Sequence, residues 1–73
     1  MWSDDVNLRR RALLERALAM TQSPEVTTKA QLGQRAAALA RLLEVAEPSL
    51  GELRSYGERH GMRARVARLD VLG

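Results

Sequence analysis

The sequence predicts an all-α fold, a compact bundle of three to five short helices with a short C-terminal strand or extended tail. Three observations carry this. Leucine and alanine recur at three- and four-residue intervals over most of the chain, the period of a helix with one buried face. Two stretches, Thr28-Lys29-Ala30-Gln31 and Ser49-Leu50-Gly51-Glu52, have the spacing of a capping box, which opens helices. Breakers fall between the periodic runs, at Ser23-Pro24, Glu47-Pro48 and Gly61.

The first helix is expected from about Asp4 to Met20. Ser3 is its N-cap, and Asp4 and Asp5 complement the positive end of the helix dipole. Val6, Leu13, Leu14, Ala17 and Met20 share one face, and Trp2 lies on the same side, as a packing or interface residue. Ser23-Pro24-Glu25 reads as a break and a fresh start, with Pro24 at the first helical position. From Leu32 to Ala46 the pattern is helical again, with Leu32, Ala36, Leu39, Leu43 and Ala46 as the apolar stripe. Gly33 leaves two courses open there, a turn or one continuous helix.

Pro48 ends that run, and Ser49 caps a short helix whose Leu50, Leu53, Tyr56, Gly57 and His60 fall on one side. Gly57 in mid-helix costs about 1 kcal/mol against alanine, which is explained if another helix approaches closely there. Gly61 is the stop. In the tail, Met62, Ala64 and Val66 alternate with Arg63 and Arg65, so an extended segment is expected over 62–72. Met62, Val66 and Leu69 also fit a helix.

With 73 residues the chain has room for one domain, 1–73, with 62–73 as its tail. A domain of this size buries only about 60% of the surface its unfolded chain exposes. Disulfides cannot make up the difference, because there is no cysteine, and the single histidine cannot build a histidine-rich metal site. A homodimer or another protein partner is therefore expected, the extended tail pairing with that of a second copy. No cofactor is implied, and no glycine-rich phosphate loop, carboxylate pair or metal-ligand spacing points to an enzyme. The lack of cysteine and of a long uncharged stretch fits a cytoplasmic protein with no membrane partner.

Net charge is +3, and every basic residue except Lys29 is arginine. Arg9, Arg10 and Arg11 are consecutive and fan around the first helix, which makes them either solvated charges or a phosphate-contacting patch. Ala36-Ala37-Ala38-Leu39-Ala40 is small on all sides and allows another surface to come close.

Several short pieces occur in an order similar to that of the lambda-repressor/Cro-like (XRE-type) helix-turn-helix domains. They are Thr21-Gln22 after the first helix, Gln34 ahead of Leu39-Ala40-Arg41-Leu42, and Pro48-Ser49-Leu50 followed by Leu53-Arg54-Ser55-Tyr56 and Gly61. The resemblance implies a small DNA-binding transcriptional regulator of bacterial or phage type, acting as a dimer. It implies a second helix opening at Thr21-Gln22 and a recognition helix from about Gln34 to Ala46. Gln34, Arg35, Ala38 and Arg41 would then meet base edges, and Gln22, Arg9, Arg10 and Arg11 would meet phosphates. The alternative is a helical protein–protein interaction module, such as a phage-encoded inhibitor or an antitoxin-like partner. It expects one helix running through Gly33 with an open Leu/Ala face.

Overall fold

The computed structural model describes residues 2–73, with side chains from Asp5 onward. Four helices follow one another: α1 (Trp2–Met20), α2 (Lys29–Leu43), α3 (Leu50–Arg59) and α4 (Arg63–Val71). No strand occurs among the described residues. The long first helix occupies the middle. It packs against each of the other three, whereas α2 has no comparable contact with α3 or α4.

This position explains the burial pattern of α1. Leu13, Leu14, Ala17 and Leu18 are all buried, two adjacent rows rather than one. A single stripe serves one neighbour, and two rows serve neighbours on two sides. The expected stripe included Val6, which is instead 43% exposed, and omitted Leu18. The helix begins at Trp2, so Ser3 stands inside it rather than capping it. The expected packing of Trp2 lies outside the described side chains.

No helix opens at Thr21-Gln22 or at Pro24. Residues 21–28 form a chain of turns, with the Ser23 amide donating to Met20 O and the Val26 amide to Ser23 O. The turns reverse the chain so that α2 can run back along α1, and they drop Val26 and Thr21 into the core. Thr21 is satisfied there because its hydroxyl donates to Leu18 O at 2.6 Å. The capping box at Thr28 forms in full. The Gln31 amide donates to Thr28 Oγ1, and Gln31 Oε1 accepts from the Thr28 amide.

From this cap α2 runs unbroken through Gly33 and ends at Leu43, three residues before the expected Ala46. Glu44 takes a left-handed conformation (φ 57°) and the Val45 amide closes back on Ala40 O. The buried row is Leu32, Ala36 and Ala40, with Leu39 and Leu43 half-buried.

At α3, Ser49 accepts from the Glu52 amide at 3.0 Å. The return half of this second box is replaced by a tertiary contact, because the Glu52 carboxylate is held by Arg10. Leu53, Tyr56 and Gly57 are buried, while His60 is the exposed C-cap residue with its ring 4.1 Å from that of Tyr56.

The tail is not extended. Gly61 adopts φ 71° and the Met62 amide returns to Gly57 O at 2.8 Å, the long bond of a Schellman ending. After that three-residue turn α4 forms and buries Val66 and Leu69, with Leu72 just beyond its end. A helix satisfies its own backbone, which a lone strand cannot do. The backbone of Gly73 pairs within the chain. The Lys29 amide donates to Gly73 O and the Gly73 amide to Thr27 O. Lys29 Nζ also donates to Leu72 O at 2.6 Å, a cation at the negative end of α4.

Gly57 is where α3, α4 and α1 come closest. A Cβ there would lie 2.5 Å from Val66 Cγ2 and 3.4 Å from Leu18 Cδ1. Alanine gains about 1 kcal/mol in helix propensity, but overpacking costs about 1–3 kcal/mol. Gly57→Ala should therefore lower the urea midpoint, and should cost measurably less when introduced together with Val66→Ala. Gly33 is the opposite case, since a Cβ there would meet nothing within 4 Å. Gly33→Ala should stabilise the protein by about 0.5–1 kcal/mol; a loss of stability would mean that the chain bends at this position.

Candidate functional site

Of the residues singled out as binding candidates, Gln34, Arg35, Ala38 and Arg41 all lie on α2 and all are exposed. Their spacings of three, four and seven put them on one strip, opposite the buried row of Leu32, Ala36 and Ala40. Leu42 extends the strip and is 80% exposed, the most exposed large apolar residue among the described ones. Gly33 and Ala37, both half-buried, border it and keep that flank low.

The sequence makes this surface positive in a simple way. Between Lys29 and Leu43 there are three basic residues and no carboxylate. Glu44 and Glu47 follow only after the helix has ended. Among the described residues neither Arg35 nor Arg41 takes part in an ion pair, so both guanidinium groups keep their hydrogen-bonding capacity. The strip is rigid because α2 is fixed at both ends, by the Thr28 box at one and by Arg9 at the other.

The remaining candidates separate from this surface. Arg9 Nη1 donates to Leu43 O at 2.7 Å, taking a carbonyl that the end of α2 leaves without a helical partner. Arg10 donates through Nε to Glu52 at 3.0 Å and through Nη1 to Ala46 O at 2.9 Å. Both arginines therefore hold the α2–α3 connection to α1, and the expected phosphate patch is divided. Arg11 alone of the three is exposed and without an ion pair among the described residues. Gln22 sits apart in the turn leaving α1, its amide donating to Ala19 O.

The division of the arginines had no local signal in the sequence. Arg10 is three residues before Leu13 and Arg11 three before Leu14, so both border the buried rows of α1. Sequence reasoning treated the three as equivalent because a helix seen alone does not reveal what lies opposite it.

Among the described residues no cluster of histidine, aspartate and glutamate is arranged to hold a metal ion. No described helix is long and apolar enough to cross a membrane. Comparison with protein families, with curated proteins and with solved structures found no match.

The structural role of Arg10 can be tested directly. Arg10→Ala removes charge-assisted bonds to a carboxylate and a carbonyl, and with about a quarter of the side chain exposed it should cost about 1–2 kcal/mol in denaturant unfolding. Arg11→Ala should stay within about 0.5 kcal/mol of the parent protein.

Proposed function

We propose that this chain is a helical protein-interaction module, and that its docking surface is the outer strip of α2. The observation that carries the reading is the continuity of α2 through Gly33, with a carboxylate-free face of Gln34, Arg35, Ala38, Arg41 and Leu42 left open. Small side chains at 33, 37 and 38 let a second helix approach closely, and the exposed Leu42 supplies an apolar anchor. Two uncommitted arginines select a partner that presents acidic residues along an amphipathic helix.

A second reading is a DNA-binding regulator whose α2 enters the major groove. It rests on the same strip, since arginine is suited to guanine and glutamine to adenine. It stands second because residues 21–28 are turns rather than a helix and because Arg9 and Arg10 are engaged inside the protein. In either reading the chain is able to act as a homodimer, but not through paired tail strands, because residues 63–71 are helical.

Photo-crosslinking from Ala38 in living cells, followed by mass spectrometry, tests the first reading. The expected product is a single protein joined through a segment with aspartate or glutamate at helical spacing. Arg35→Glu combined with Arg41→Glu should abolish it without changing the circular-dichroism spectrum. Crosslinking to DNA, together with a DNA affinity that falls steeply between about 50 and 200 mM salt, would replace this reading with the second.

A further inference from the structure

A second cationic feature lies away from the α2 strip. A groove of about 600 Å³ runs between α1 and α3. Asn7, Arg10, Arg11 and Leu14 line it from α1, because positions 7, 10, 11 and 14 share a helix face. Glu52, Tyr56 and Arg59 line it from α3, with His60 at that helix's end. Three guanidinium groups and an imidazole line the groove, and of the described carboxylates there Glu52 is paired with Arg10 while Glu15 accepts from the Tyr56 hydroxyl at 2.8 Å.

The charges in the groove are not all explained by the fold. Arg59 stands in the last turn of α3, where a cation complements the helix dipole. Arg11 has no such reason, since it stands in the middle of α1. Neither Arg11 nor Arg59 is in an ion pair among the described residues, and the one bond Arg59 makes is a long 3.4 Å contact from Nε to Ser55 O. Arg10 cannot turn toward a ligand without releasing Glu52 and Ala46 O. It therefore acts as a fixed floor to the groove, while Arg11 and Arg59 carry the unspent donors. Tyr56 supports one face of the His60 ring, and His60 is exposed.

We propose that this groove binds the phosphoryl group of a small phosphate monoester. Two guanidinium groups that line one groove and have no ion pair among the described residues, those of Arg11 and Arg59, suit a tetrahedral dianion better than a singly charged carboxylate ligand. The amide of Asn7 adds a neutral donor at the same wall. The outer face of His60 offers a stacking place for a planar group attached to the phosphate, so a nucleoside monophosphate fits better than an aliphatic ester. The site uses none of the α2 residues and stands independently of the docking surface.

Heteronuclear NMR titration of the full chain with inorganic phosphate, glycerol 3-phosphate and adenosine 5′-monophosphate tests this. Saturable shifts are expected at the Arg11 and Arg59 side-chain Nε–H signals and at the His60 ring, with the nucleotide binding tightest. Arg11→Gln and Arg59→Gln should each weaken phosphate roughly tenfold, as loss of a charge-assisted bond requires. Arg35→Gln, on the α2 strip, should leave phosphate affinity unchanged. Shifts that never saturate, equal weakening by Arg35→Gln, or binding to a polynucleotide without binding to any of the three small phosphates would overturn the proposal.

Discussion

The fold depends on α1 having two adjacent buried rows. Leu13 and Leu14, then Ala17 and Leu18, place apolar surface on two sides of one cylinder. The other helices use that surface separately: α2 lies along one flank, while α3 and α4 pack against each other and against α1. Because α2 scarcely meets α3 or α4, the bundle has no second centre. Burial at about 25 cal/mol per Å² acts only on area removed from water, and the main helix that α2 packs against is α1. The same arrangement leaves α2 with a broad solvent face, so the architecture that makes α1 indispensable also makes α2 available.

A core this narrow places many helix ends near the surface, and the ends are closed by local and long-range devices in turn. Thr28 and Ser49 cap the starts of α2 and α3 with hydroxyls. Gly61 closes α3 by adopting a left-handed conformation that a side chain would resist. The carbonyls after α2 and α4 receive cations from elsewhere in the chain, Arg9 and Arg10 for the first and Lys29 for the second. Polar bonds of this kind contribute about 1 kcal/mol each net, comparable to the small margins of a short domain. They also set geometry, since Arg10 fixes the distance between α1 and α3 through Glu52.

Legibility in the sequence followed the range of the interaction. The Thr28 box, the Ser49 cap, the stop at Gly61 and the close approach at Gly57 were readable because each depends on residues a few positions apart or on one conspicuous glycine. The segment 21–28 was misread because Pro24 suits a first helical turn equally well, and only the burial of Val26 and the need to reverse the chain decide against it. The tail was misread because Met62, Ala64 and Val66 alternate by chance. The residues that pack are Val66, Leu69 and Leu72, at intervals of three, with Met62 half-buried against the same core. The α2 strip was legible as a set, since Gln34, Arg35, Ala38 and Arg41 share a face on any continuous helix. The engagement of Arg9 and Arg10 was not, because their acceptors lie more than thirty positions away.

That engagement divides the basic residues into two populations with different consequences. Arg9, Arg10 and Lys29 sit against carbonyls, and Arg54 sits against Asp70 and Glu58. Arg9, Arg10 and Lys29 thereby join segments distant in the chain. Arg11, Arg35, Arg41 and Arg59, like Arg16, Arg63 and Arg65, are in no ion pair among the described residues. A surface cation that does nothing for the fold is ordinary when solitary, because exposed charges contribute little to stability. Two such cations lie on one carboxylate-free helix face and two more line one groove. Under the proposals made above, an acidic surface meets the first pair and an anion the second. The uncommitted arginines are therefore better understood through what they meet than through what they hold together.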